Sequence, residues 1–277
     1  MKGREAGSVR SQLAALAAGM AALGRRMEQL AAVHRDGGGE AAQIARLERL
    51  LDLDAVVAHA RDAVARADLA DDPAPHLLVA DLLPSDAYRA LLGAIPVPVL
   101  FEGRVEHGQE MRAPPRLAPM SSIVTWMFVD EIARALSDLL VARLAEPLAA
   151  FAGARFPSLP PLGDWGAAIT VSEARLVRRA PGYAGRAPGE RPWELITGIV
   201  DLARPQDSPE HGSRLGSRTI PFRANTALIC IGGAEAHVYA PIPAGAPSQT
   251  ERYTYEFGIG PTKAARRRLA ALLGGAA

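Results

Sequence analysis

The chain has 277 residues, a formal net charge of +1 and 49% hydrophobic residues, enough for one large folded domain with an appendage. The near-neutral balance gives no argument for nucleic acid or an anionic membrane surface as a partner. One cysteine, Cys230, excludes an intrachain disulfide, and its place in the apolar run TALICIGG reads as a buried thiol.

MKGREAGSVRSQ at the N-terminus lacks the uninterrupted apolar core of a signal peptide. No stretch approaches the roughly 18 to 20 apolar residues of a membrane span. The expectation is a soluble, cytoplasmic protein with no membrane contact.

Residues 8–34 read as a helix. Val9, Leu13, Leu16, Met20, Leu23, Met27 and Leu30 recur at alternating steps of four and three, a heptad seam that suits a coiled coil or a close helical hairpin. The seam serves either self-association, including with a partner helix, or packing within the chain. Asp36 and the three glycines after it break the helix, and 40–51 resumes it. Asp52 or Asp54 caps a further helical stretch to about Ala67. Two prolines and two aspartates in LADDPAP, residues 69–75, mark a boundary. The predicted division is a helical, coiled-coil arm over 1–70, separable from a domain over 76–277.

From His76 a short strand leads into a helix begun at Pro84, with Ser85 or Asp86 near its cap. Residues 97–120, with Pro114, Pro115 and Pro119, read as irregular. Residues 121–152 carry one long helical stripe from Trp126 to Leu148. Strand-like segments follow near 167–179, 194–203, 218–222, 226–232, 236–240 and 251–259, separated by turn-forming residues. Helices followed by several short strands predict an α+β fold, a β-sandwich or barrel with helices on one face; a double-stranded β-helix, or jelly roll, is one such solution. In ERYTYEFGI, Tyr253, Tyr255, Phe257 and Ile259 share one strand face and Arg252, Thr254 and Glu256 the other. The aromatic face is expected to meet the helices and the Arg252 face to line the sandwich. The chain closes with a basic helix over 262–273.

Residues 175–203 join a strand, a Pro/Gly-rich loop and a second strand. Here Arg178, Arg179, Pro181, Gly182 and Tyr183 form an Arg-Arg-x-Pro-Gly-Tyr segment, and Thr197 opens the next strand. With HGSRLGSR (211–218), FRANTALICI (222–231), AEAHVYAPIP (234–243) and ERYTYEF (251–257), this resembles the 2-oxoglutarate- and Fe(II)-dependent dioxygenases of the bacterial prolyl-hydroxylase-like group. The resemblance covers about residues 76–270. It implies a jelly roll in which two His and one carboxylate hold iron, leaving positions open for 2-oxoglutarate and oxygen.

Carried over residue by residue, the resemblance places His237 on the second metal-ligand His and Arg252 on the co-substrate carboxylate. Arginine's fork matches a carboxylate with two hydrogen bonds. Tyr183 is placed in co-substrate binding. The first His position is occupied by Pro188, which has no donor atom, and the Asp position by Glu190. Glu190 and His237 are thus what remains of the metal ligands, with His211 the nearest replacement. Two readings follow. One is a degenerate, non-catalytic member acting in binding or assembly. The other is an active hydroxylase using Fe(II) and 2-oxoglutarate at an unorthodox site.

Overall fold

A computed structural model describes residues 52–111, 120–165, 169–185, 193–232, 237–247 and 250–274. The helix read over 8–34 and its continuation lie outside these residues. The first described element is helix α1, Leu53–Arg66, capped by the Asp52 carboxylate, which accepts from the Ala55 amide at 3.1 Å. Val56, Ala60, Ala63 and Val64 fall at helical spacing on one face, and all four are buried in the main core.

Within the expected arm over 1–70, residues 53–66 therefore pack into the main core. α1 packs on the long helix α3 (Met120–Arg143): Arg61 Nη1 donates to Ala135 O at 2.9 Å, and Arg143 Nη2 donates to Ala67 O at 2.5 Å. The stretch 69–75 is a turn inside a sheet. Strand β1 (Leu69–Ala70) pairs antiparallel with β2 (His76–Val79), Leu69 against Leu77. Proline and aspartate interrupt helical periodicity equally well in a linker and in a hairpin turn, so the sequence pattern does not separate the two.

Helix α2 (Ser85–Gly93) starts behind Pro84, and its Tyr88 hydroxyl donates to Ala203 O at 2.8 Å. The 97–120 region contains a short strand, β3 (Gln109–Met111), paired with β4 (Ile169–Arg179). The long stripe from Trp126 to Leu148 is split: α3 ends at Arg143 and α4 runs Ala145–Arg155. Pro147 supplies the reason. It lacks an amide to donate, and its ring crowds the carbonyl four residues back, that of Arg143, so a continuous helix cannot pass it.

The remaining strands are β5 (Ile196–Asp201), β6 (Ser213–Leu215), β7 (Arg218–Ile220), β8 (Thr226–Ile231), β9 (His237–Tyr239) and β10 (Arg252–Pro261), followed by helix α5 (Lys263–Gly274). Among the described residues the strands form a seven-stranded sheet, β1-β2-β8-β5-β10-β4-β3, and a three-stranded sheet, β7-β6-β9. Every described pairing is antiparallel. The fold is therefore a mixed helix and antiparallel-sheet architecture, as the strand spacing predicts.

Two cores result from the alternation of each strand. Leu77, Ile196, Val200, Ile229, Tyr253, Tyr255, Phe257 and Ile259 face the helices. Trp126 of α3 stacks on Tyr255 with ring centroids 5.9 Å apart, and Phe101 meets Tyr253 edge-on at 5.6 Å. On the other face Ile199, Leu228 and Cys230 meet Leu215, Ile220 and Tyr239 of the small sheet. The two sheets thus enclose a second interior, and the inward face of β10 is directed into it, as expected.

Candidate functional site

The enclosed interior collects most of the residues singled out in the sequence. In β10, Arg252, Thr254 and Glu256 point inward, opposite Arg179, Val177 and Arg175 of β4 in register. His237 and Tyr239 come from β9, 1% and 2% exposed. Tyr183 is buried just after β4, beside the Arg179 guanidinium at 5.5 Å from its ring centroid. Glu190 and Pro188 lie outside the described residues, as does the side chain of His211.

The centre of the interior is an ion cluster. Glu256, 3% exposed, accepts from Arg175 Nε at 2.9 Å and Nη2 at 2.7 Å through one oxygen. Its other oxygen accepts from Arg179 Nη2 at 2.6 Å, from Thr254 Oγ1 at 3.0 Å and from the Tyr239 hydroxyl. Arg179 also donates to Thr254 Oγ1 at 2.8 Å, and its guanidinium lies 3.3 Å from the Tyr239 ring centroid. Burial alone would raise the Glu256 pKa, but Arg179 and Arg175 hold it well below the usual carboxylate range. At the rim Arg175 meets Glu110 of β3 at 3.2 Å.

Arg252 occupies one end of this interior. It is 2% exposed, and its guanidinium donates to Ala240 O at 2.7 Å and Gly212 O at 3.3 Å, two main-chain carbonyls. Burial first, and the like charge of Arg179 second, lower its pKa to about 9. Beside it Asp201 accepts from the Arg223 amide at 3.2 Å. Burial raises Asp201 to about 7, although that amide, Arg252 and Arg179 all act against the rise. The cleft bounded by Arg179, Asp201, Ser213, Tyr239 and Arg252 has no room for a water-sized sphere.

His237 occupies the other end. Its Nδ1 lies 4.0 Å from Cys230 Sγ, and its ring meets Tyr239 edge-on at 5.2 Å. Burial pushes the Cys230 thiol up to about 12, so it is neutral and a poor metal ligand. Nearby, the Thr197 hydroxyl donates to the buried Glu194 carboxylate, which burial shifts upward. Gly258 makes room for that carboxylate, since a Cβ there would sit 2.5 Å from Glu194 Oε2. Among the described residues no three His, Cys, Asp or Glu side chains come together to hold a metal ion.

The interior thus brings His237, Arg252 and Tyr183 between the two sheets and adds a charge cluster the motifs did not announce. Glu256 was legible as inward-facing, but its arginine partners depend on the β4–β10 register. Asp201 and Tyr239 carried no sequence signal beyond an alternating strand.

No family model matches the sequence, and no curated protein matches it. Solved structures are similar to it. A Pseudomonas putida prolyl-4-hydroxylase shares 16% identity over 74% of this chain and 98% of its own, with a TM-score of 0.37. HygX from Streptomyces hygroscopicus, solved with nickel and 2-oxoglutarate bound, shares 11% over 67% of this chain and 82% of its own, with a TM-score of 0.32. A protein of the 2OG-Fe(II) oxygenase family from Caulobacter crescentus shares 15% over 76% of this chain and 83% of its own, with a TM-score of 0.35.

The described residues do not fit iron and 2-oxoglutarate. The sequence resemblance puts a proline, which has no donor atom, at the first ligand position, and the His237 imidazole faces a neutral thiol. Arg252, which the resemblance places on the co-substrate carboxylate, is bonded to main-chain carbonyls in a cleft too narrow for water.

Proposed function

We propose that this protein is a jelly roll of the 2-oxoglutarate oxygenase type that carries out no oxygenase reaction and acts in binding or assembly. The observation that carries this reading is the filled interior. Arg175, Glu256, Arg179 and Tyr239 pair with one another where an open cavity would be needed, and Arg252 is bonded to Gly212 and Ala240. A facial arrangement of three protein ligands is the requirement for non-haem iron chemistry, and Pro188 removes one.

Succinate release from 2-oxoglutarate, measured on purified protein with Fe(II), ascorbate and oxygen, tests the proposal. The expected result is no release above the protein-free control. Turnover that disappears in Arg252→Ala would overturn it in favour of an active hydroxylase with an unorthodox metal site. Assembly through residues 8–34 is part of the same proposal. Sedimentation of the full chain against a chain lacking residues 1–51 reads it: a larger species only in the full chain supports it, and identical monomers refute it. No described helix is long and apolar enough to cross a membrane. A cytoplasmic location belongs to the same proposal and is read by fractionating the host cell.

A further inference from the structure

The two sheets leave their edge strands on the same side of the sandwich. In the large sheet β1 covers β2 only at His76 and Leu77, so Leu78 and Val79 have no outer strand partner among the described residues. In the small sheet β7 and β9 are the edge strands, and β7 is the one on this side. Between them lies a cleft of about 320 Å³, lined in part by Leu78, Ala80, Arg218, Ile220, Arg223 and Thr226. It is separate from the ion cluster and from the narrow cleft at Arg252.

Three properties of this cleft point to one kind of occupant. Its floor is apolar, with Ile220 buried and Leu78 half-buried in the inter-sheet core. Its rim is cationic. Arg218 and Arg223 are both exposed, and neither has an ion-pair partner among the described residues. The nearby Asp201 carboxylate is engaged by the main-chain amide of Arg223 and not by its guanidinium. Its wall is a strand edge, along which an antiparallel ladder turns every second residue's amide and carbonyl outward. Nearby the β6–β7 turn meets the β1–β2 turn: a Cβ on Gly216 would sit 2.9 Å from Pro73 Cβ and Cγ.

We propose that this cleft binds an extended acidic peptide segment of a partner protein, which adds as a strand to the edge of β7 that has no strand partner among the described residues. Main-chain hydrogen bonds to the edge supply affinity, and side chains at alternate positions supply choice. Apolar residues of the peptide lie on Leu78 and Ile220. Its carboxylates meet Arg218 and Arg223, whose forks donate two parallel hydrogen bonds each. A second copy of the same edge is disfavoured, because it would bring Arg218 and Arg223 against like charge. This inference does not depend on whether the protein is catalytic.

The test uses the full chain and a fluorescein-labelled hexapeptide alternating glutamate with valine, followed by anisotropy. Saturable binding is expected, weakened by added salt and at least about tenfold weaker in the double variant Arg218→Glu/Arg223→Glu. Both side chains are exposed, so the variant is expected to keep the parental Tm, which circular dichroism checks. A lysine–valine hexapeptide is expected to bind the parent at least about tenfold more weakly than the acidic one. No saturable binding of the acidic peptide to the parent overturns the proposal. So does equal binding of the acidic peptide to parent and variant, or of the acidic and basic peptides to the parent. Competition by free glutarate at the same molar concentration as the unlabelled peptide would also overturn it, because that would mark a small-anion site and not a strand site.

Discussion

The two faces of β10 stabilise the same strand in opposite ways. Tyr253, Tyr255, Phe257 and Ile259 bury aromatic and aliphatic area against the helices, where a neighbour of similar size and polarity would serve. Arg252, Thr254 and Glu256 bury charge against charge, where only the existing partners serve. An apolar face fails gradually, in proportion to lost contact. A buried ion cluster fails abruptly, because removing one member leaves the others charged and dry. The sequence resemblance places a co-substrate against Arg252 on this inner face, so its filling is the physical content of the proposed loss of chemistry.

The largest effect comes from stripping the helical cover off the outer face. Removing residues 1–51 is expected to leave a folded domain, whereas removing 1–70 takes away α1 and β1, and with them Val56, Ala60, Ala63 and Val64. Loss of near-UV dichroism and of a cooperative thermal transition is expected for the second deletion only. A cooperative transition after deletion of 1–70 would restore a boundary at 69–75.

Next is Glu256→Ala on the inner face. Arg175 and Arg179 lose their shared carboxylate, and a cost of about 3–5 kcal/mol in urea denaturation is expected. A cost under about 1 kcal/mol would mean that water or relaxation compensates, and that the interior is less closed than described. The outer face is expected to answer more mildly. A Cβ on Gly198 would sit 2.1 Å from Phe257 Cζ, so Gly198→Ala is expected to cost about 1–3 kcal/mol. Shrinking the ring with Phe257→Leu should recover part of that cost in the double variant, as a contact measured by a mutant cycle would.

The smallest effect is confined to pH. Asp201 has an ordinary pKa near 3.8 when unfolded and about 7 when folded, so between these values the folded state holds the extra proton. Stability from this group therefore falls as pH rises from about 4 to about 7. Asp201→Asn is expected to remove that decline while keeping an acceptor for the Arg223 amide. Glu256 has the reverse sign: its contribution is present above the ordinary glutamate range and lost as pH drops below it. Parallel Tm profiles for parent and Asp201→Asn across pH 4–8 would contradict the assignment to Asp201.

Much of this contrast was legible before any coordinates. Period-two alternation in ERYTYEFGI assigned both faces of β10 correctly, and Asp52 announced the cap of α1. What could not be read is pairing. That Arg175 and Arg179 meet Glu256 depends on the β4–β10 register across the intervening chain that carries β5 to β9, and no local pattern encodes that distance. The β1–β2 turn failed for another reason, since proline and aspartate mark a hairpin and a linker alike. The break at Leu144 was present as Pro147 but was outvoted by the apolar stripe running through it. Of the candidate site, His237, Arg252 and Tyr183 were found by motif and do share the interior, whereas Asp201 and Tyr239 look like ordinary strand residues until the sheets close.

The most direct measurement is an anaerobic titration of the full chain with Fe(II) and 2-oxoglutarate, followed through the visible metal-to-ligand absorption band. A filled interior and a missing ligand predict no band at any ratio, and the same flat spectrum in His237→Ala. A saturable band in the parent, lost in His237→Ala and in Arg252→Ala, would show that iron and co-substrate bind where the ion cluster now leaves no space, and would contradict the account.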